Sequence, residues 1–396
     1  MKKDRIKTLY LDANGSGSQV IKTDTILRGI FRYRDGASPP ALLRRYPSIV
    51  ELFAYLRQFH DYLSYVMDWR DTFCQVPELD VEVCNINNLV HYSRCLLTIR
   101  KYDLIVVSHV AAGDDMTVLL KTARWLERRR GKLIMFIGNE YDLLDEKISF
   151  MRSIEADVIC SQLPLEAARY LYQECDHGQL ISMPHALNAA VYYPMPDPQR
   201  IIDIGFIGDL YWPFIGDQER TALIRLFETQ NGRHGLACDI RTERIPRPAW
   251  AKFLHSCKGI IGAESGTYYL NDRGRLLAAA REYNLKENRQ ATFEEVFERF
   301  YKHQPRLVSG KSISSRHFEP IGTKTCQILL EGDYNGILQA DEHYISVNKD
   351  LSNIEDAIRR FKDVSYRQAM VERAYEYVMS AHTYRHRVQA LLKVIA

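Results

Sequence analysis

The stretch Ser314–Glu331, SSRHFEPIGTKTCQILLE, reads as a loop, a short helix and a buried strand in immediate succession. Glu319 opens a short amphipathic segment that Gly322-Thr323-Lys324 closes, and the apolar run Cys326–Leu330 follows at once. The N-terminus of such a helix is expected to face a cleft, where its unpaired N–H groups and the positive end of its dipole can meet a phosphate. A carboxylate beside it can grip a sugar or ribose hydroxyl. In α/β sheets of this kind, ligands sit beyond the carboxyl ends of the strands.

Outward from this unit the alternation of strand and helix continues in both directions. Ile202–Ile207, Ala237–Ile240 and Gly259–Ala263 read as strands upstream, with helices at Gln218–Glu228 and Pro248–Ser256. His343–Val347 reads as a strand downstream, and Asn353–Lys362 as a helix. The first half has strands at Thr8–Asp12, Val81–Ile86, Tyr102–His109, Lys132–Ile137, Ala156–Cys160 and Gln179–Met183. Helices are expected there at Arg45–Met67, Val90–Ile99, Met116–Arg130 and Leu165–Gln173. Tyr102–His109 lacks alternation, as a strand covered on both faces should. This spacing implies parallel sheets with right-handed crossovers. Three prolines within Tyr192–Gln199 mark a linker. The fold class is therefore α/β, two doubly wound Rossmann-like domains over residues 1–190 and 200–364. A charged, helical insertion occupies about 271–306, and a long helical tail over 365–396 is placed to pack back on the first domain.

Composition narrows the function. The 396 residues exceed one typical core, and 46% hydrophobic with 26% charged residues is ordinary for a soluble globular protein. A net charge of +3, with acids balancing bases along nearly every helix, disfavours a nucleic-acid partner. No run approaches the roughly 18 apolar residues of a membrane span. The start, MKKDRIKTLYLDANG, carries only a strand-length apolar run, so a signal peptide is not expected and a cytoplasmic location is. Eight cysteines without a CxxC pair read as reduced, packed thiols of a cytosolic protein, and a zinc site is not expected. The 24 Tyr against 15 Phe suit carbohydrate faces, as they suit any wet interface. The basic run Lys121–Lys132 with Trp125 is either a solvated helix end or a peripheral contact with anionic lipid.

Several segments carry a family resemblance. Pro184-His185-Ala186-Leu187-Asn188 with Tyr193-Pro194 resembles the interdomain segment of GT-B glycosyltransferases of the group 1 (family 4) type, and Ile204–Asp209 their next strand and glycine turn. Arg316-His317-Phe318-Glu319 with Gly322-Thr323, and the tail His382–Arg387, are similar to the spore-maturation-protein branch. The resemblance covers roughly Leu180–Ala396, the insertion aside. It implies a nucleotide-diphosphate sugar as donor substrate and no separate cofactor. It implies a glycan, lipid-linked or protein acceptor in surface glycan or glycoconjugate synthesis, and it leans toward retention of configuration. A sugar-nucleotide epimerase or phosphorylase, or a non-catalytic nucleotide-binding scaffold, stays open on the same fold. Oligomeric state is left open.

The resemblance implies that Glu319 binds the donor ribose; the plainer role is a helix cap or a salt bridge with Arg316. Gly322, Thr323 and Lys324 are expected to donate to the diphosphate, with Gly208 beside them. The family's first glutamate, eight positions earlier, is Lys311 here. Glu264, immediately after a core strand, is the candidate to replace it, and Asp272 either joins it or caps a loop. Lys311, Arg316, Arg273 and Arg275 are the cations expected to neutralise the leaving group. The absence of any D-x-D favours this over a bound divalent cation. His109, after a buried strand, is the other catalytic candidate: the resemblance implies contact with the transferred sugar, and a hydrogen-bonded core histidine is the alternative. Gly15 and Gly17 in the first loop either approach the donor or form a plain turn, and without the full fingerprint they do not support NAD. Asn139-Glu140 is a weaker candidate, and Asp114 and Asp115 serve either as an acceptor base or as helix caps.

Overall fold

The structure, a computed structural model, describes residues 5–13, 26–27, 30, 45–48, 64–196, 198–229 and 234–396. It divides into two compact units, Met1–Met183 with Val388–Ala396, and Pro184–Arg387. Gly15, Gly17 and most of the helix expected over Arg45–Met67 lie outside the described residues. Among the described residues no helix is long and apolar enough to cross a membrane.

In the first unit, six strands pair in parallel: β1 (Ile6–Asp12), β2 (Leu79–Asn85), β3 (Leu104–Val107), β4 (Lys132–Phe136), β5 (Val158–Ser161) and β6 (Gln179–Ser182). Their order is β2-β1-β3-β4-β5-β6. Helices α1 (Ser64–Gln75), α2 (Leu89–Leu97), α3 (Thr117–Leu126), α4 (Leu144–Ser153) and α5 (Leu165–Leu171) connect them. Every residue of β3 is buried, as its unalternating apolar run predicts. Sequence periodicity does not reveal α4, because Lys147 occupies one of its inward positions. Lys147 is fully buried, and its Nζ donates to the carbonyls of Gly138 at 2.5 Å, Asn139 at 3.0 Å and Asp142 at 2.7 Å. Burial pushes its pKa down to about 8 against the pull of nearby carboxylates.

The second unit repeats the plan. Strands β7 (Ile202–Ile207), β8 (Cys238–Arg241), β9 (Cys257–Gly262), β10 (Cys326–Leu330) and β11 (Ile345–Val347) are parallel in the order β11-β10-β9-β7-β8. Between them run α6 (Glu219–Thr229), α7 (Arg247–Ser256), α8 (Arg275–Glu282), α9 (Phe293–Phe300), α10 (Ser315–Gly322) and α11 (Ile354–Lys362). Side chains alternate across the sheet. Ile204, Phe206, Ile261, Ile328 and Leu330 enter one apolar cluster with Leu223 and Phe361. Ile207, Ile260 and Leu329 enter another with Trp250, Phe318 and Val378. Helices α8 and α9 form the stretch read as an insertion; Tyr301, just after α9, anchors it by donating to Phe214 O at 2.5 Å.

The helical tail is two helices, α12 (Val364–Ala381) and α13 (Tyr384–Ile395). They break at His382-Thr383, where the backbone pairs with Leu187: Leu187 N donates to His382 O and Tyr384 N to Leu187 O, each at 3.0 Å.

Candidate functional site

Strand order positions the site. From β7 the chain goes to β8 on one side, then returns across to β9 on the other. In a doubly wound sheet the carboxyl ends on either side of such a reversal bound the ligand crevice. Here those ends carry Gly208 after β7 and Ala263-Glu264 after β9.

The loop after β9 is fixed by three partners. Ser265 and Ser312 exchange backbone hydrogen bonds of 2.9 Å. Gly266 N donates to the Tyr211 hydroxyl at 3.1 Å. Tyr334 N donates to Glu264 Oε1 at 2.8 Å. A Cβ on Gly332 would lie 2.5 Å from Glu264 Oε2, so only glycine leaves room for this carboxylate. Burial raises the Glu264 pKa above the usual carboxylate value, while the Tyr334 N–H and the Lys311 charge pull it down. Glu264 is thus a largely desolvated, single-donor carboxylate at the strand-order reversal.

The pairing of Ser265 with Ser312 brings Lys311 to the same place. Its Nζ forms a buried ion pair with Asp217, which also accepts from Glu219 N at 2.8 Å and so caps α6. The ammonium lies 4.6 Å from the Tyr268 ring centre and 5.5 Å from that of Tyr211. Further cations ring these tyrosines: Arg220 over Tyr211 at 4.8 Å, Lys349 and Arg306 over Tyr268 at 5.2 and 4.6 Å. Tyr211, Tyr268, Asp217, Arg220 and Lys349 are not singled out by sequence. Asp217 ahead of α6 was readable as a helix cap, but its ion pair joins residues 94 apart.

Helix α10 departs from the sequence reading in polarity. Its N-terminus lies at Ser314, in a capping box with His317. Glu319 is the fifth helical residue, not the first, and Gly322-Thr323-Lys324 lies at the opposite, carbonyl-bearing end. There Lys324 N donates to Ile321 O and Thr325 N to Pro320 O, a Schellman stop with Lys324 at φ 54°. Lys324 Nζ binds Glu372, and the Thr323 hydroxyl turns back to Pro320 O. A Cβ on Gly322 would meet Tyr192 O at 2.6 Å, so this glycine allows close packing. The expected diphosphate donors at 322–324 are therefore spent on ending the helix.

Glu319 is buried, 1% exposed, and accepts from Trp250 Nε1 at 2.6 Å. Arg316 lies flat on the Trp250 ring at 4.1 Å, with its Nε 3.9 Å from Glu319, too far for a hydrogen bond but within Coulombic reach. Arg316 Nη1 is buried and makes no hydrogen bond among the described residues. The structure thus joins Glu319 to Arg316 and Trp250, the ion-pair alternative of the sequence reading. Behind them, His317 Nε2 lies 3.0 Å from Ala263 O, tying α10 to the Glu264 loop.

The remaining candidates disperse. Gly208 N is taken by Arg241 O at 3.1 Å. Asp272 caps α8 by accepting from Leu276 N at 2.7 Å, with Arg273 and Arg275 beside it. His109 is buried among Trp69, Phe136 and Tyr65, with ring centres 5.7, 4.8 and 5.9 Å away. Glu140 is buried against Ser161, Tyr172 and Gln162 N, and Asp115 accepts from Thr117 N in the turn ahead of α3, whose N-cap is Met116. In the basic run, Arg129 and Lys132 are spent on Asp157, while Arg128 stacks on the exposed Trp125. Cys84 and Cys95 are packed thiols, as expected, and with His91 they converge in one cluster.

Residues 267–393, about a third of the chain, match the model of a family described as glycosyl transferase-like. No curated protein matches the chain. Among solved structures it is similar to HepE of Anabaena in complex with UDP-glucose, with a TM-score of 0.50 and 11% identity over 98% of this chain and 99% of that one. It is similar also to BGT of T4 phage in complex with its UDP-glucose substrate, with a TM-score of 0.50 and 10% identity over 98% and 99% of the two chains. At these identities the likeness is one of fold: the chain has the GT-B fold, with two Rossmann-like sheets.

Proposed function

We propose that the protein is a nucleotide-sugar glycosyltransferase, moving a sugar from a nucleotide-diphosphate donor to an acceptor hydroxyl. The observation that carries this reading is Glu264, a desolvated carboxylate at the strand-order reversal, acted on by the charges of Lys311 and Lys349. The family match over 267–393 and the UDP-glucose held by both structural relatives support the class.

In the reaction an acceptor oxygen attacks the anomeric carbon and the bond to the diphosphate breaks. The diphosphate leaves with the electron pair, and the hydroxyl proton passes to a base or to the departing phosphate. Negative charge grows on the diphosphate, and Arg220, Lys349 and Arg316 are proposed as the cations that neutralise it. Lys311, held by Asp217, sets the potential at Glu264. Glu264 is proposed to hold a sugar hydroxyl or take the proton. Its raised pKa brings it nearer the operating pH, where such groups work best. Glu319 is proposed as a positioning residue that keeps Arg316 on Trp250; contact with the ribose requires it to exchange those partners. Charge neutralisation by side chains is proposed on the absence of any D-x-D, and retention of configuration and the spore-maturation branch on the sequence resemblance. A cytoplasmic setting with a glycan, lipid-linked or protein acceptor is part of the same reading.

Thermal midpoints measured with a panel of nucleoside diphosphates test the proposal. One of them should stabilise selectively, by about 2.7 kcal/mol at a hundredfold excess over its Kd. Glu264→Gln should keep that stabilisation and lose transfer by about 100-fold or more. A panel in which no diphosphate shifts the midpoint refutes the reading.

A further inference from the structure

We infer that Cys84, His91 and Cys95, completed by Glu82, form a tetrahedral site for a zinc-class divalent cation in the first unit. Two elements build it. Glu82 and Cys84 are two residues apart on β2, so both face the same side of the strand. His91 and Cys95 are one turn apart on α2, so both face the same side of the helix. One ligand atom from each of Cys84, His91 and Cys95 lies within 4.8 Å of the others. Bond lengths of about 2.0–2.3 Å around tetrahedral zinc place its ligands roughly 3.5 Å apart, so small rotamer shifts close the set.

Glu82 is oriented for the fourth position. Its Oε2 accepts from the Tyr102 hydroxyl at 2.6 Å and Lys101 Nζ at 3.1 Å. That turns Oε1 toward His91 Nε2 at 3.3 Å and Cys95 Sγ at 3.6 Å. Such outer partners orient metal ligands. Two thiolates and an imidazole with one carboxylate suit zinc among common divalent ions. The two thiols are buried, while His91 and Glu82 side chains are 37% and 40% exposed, which leaves an entry path from solvent. Because β2 is the edge strand of its sheet, a cation here clips α2 to that edge. Its uptake releases the protons still on the two thiols.

The test is a Co2+ titration of the reduced full chain, followed by Zn2+ competition. The expected result is uptake of one equivalent, with tetrahedral d–d absorption and a thiolate-to-cobalt charge-transfer band that Zn2+ bleaches. Cys95→Ser should weaken that band, and His91→Ala, at a half-exposed position, should weaken binding by about tenfold or more. Cys74→Ser, an exposed thiol outside the cluster, should change nothing. Circular dichroism of each variant separates lost ligation from lost folding. No stoichiometric uptake by the folded reduced chain overturns the proposal. So does uptake unchanged in folded Cys95→Ser and His91→Ala, or a Cys84–Cys95 disulfide whose reduction restores no cobalt binding. None of these readouts depends on glycosyl transfer.

Discussion

Replacing Lys311 by methionine separates a structural cation from a ligand-binding one. The Lys311 and Asp217 side chains are 6% and 1% exposed, so removing the ammonium strands a buried carboxylate. Two unit charges at 4 Å attract by about 4 kcal/mol at an effective dielectric constant of 20. Relief of lysine desolvation offsets part of this, and Asp217 keeps its bond from Glu219 N. Breaking a buried pair from one side typically costs about 3–5 kcal/mol. Methionine preserves the stem packing, so the lower end, about 3 kcal/mol, is expected. Adding Asp217→Asn removes the stranded charge and should recover at least half of the loss. Urea unfolding of the four proteins of this cycle measures it, with an expected coupling of about 2 kcal/mol. The same charge holds down the Glu264 pKa. Lys311→Met should therefore raise it further and move the acid limb of the pH–rate profile to higher pH. A loss below about 1 kcal/mol with additive single effects would refute the reasoning and return Lys311 to the role of a solvated diphosphate ligand.

Further perturbations probe α10 and the buried histidines. Lys324→Gly relieves a left-handed residue, worth about 1 kcal/mol, and loses the exposed pair with Glu372, worth about 0–1 kcal/mol. Stability should hold or rise slightly and diphosphate affinity should not move; a large affinity loss in a binding titration would restore its phosphate role. Trp250→Phe leaves Glu319 without its indole donor and should destabilise by about 1–3 kcal/mol in urea unfolding, so an unchanged midpoint counts against that bond. Burial, helped by Arg387, holds His185 near pKa 3, and burial holds His317 near 4 despite bonds to Ala263 and Ser314. Both are neutral in the fold and charge in the unfolded chain, so their contribution is complete above about pH 6.5 and is lost as pH falls toward about 4 for His317 and about 3 for His185. Stability measured at pH 7 and pH 5 should fall in the native protein by up to about 1.4 kcal/mol per unit for each histidine. It should fall less in His185→Gln, and identical slopes in the two proteins would exclude His185 as a contributor.

The sheets were legible because apolar runs such as Leu104–Val107 and Cys326–Leu330 are covered on both faces and need no partner to be recognised. Glu264 was legible for a related reason: it follows such a run directly. The polarity of α10 was not, since Glu319 sits on the buried face of the helix rather than at its start, and Lys324 takes a left-handed position more usual for glycine. Pattern reading missed α4 because Lys147 interrupts its apolar stripe to bind loop carbonyls. A contact between distant residues such as Lys311 with Asp217 leaves no local trace, and Cys84 and Cys95 are brought together only by the turn from β2 into α2. The thiol pair in particular lacks the short CxxC spacing by which such sites are usually noticed.

Gly332 has a practical consequence for anyone who mutates this chain. With a methyl group excluded at 2.5 Å from the Glu264 oxygen, every replacement at 332 relocates a carboxylate that it does not itself carry. Inactive variants at this position in a screened library would report displacement of residue 264, and should be scored against Glu264 variants rather than read as a separate determinant.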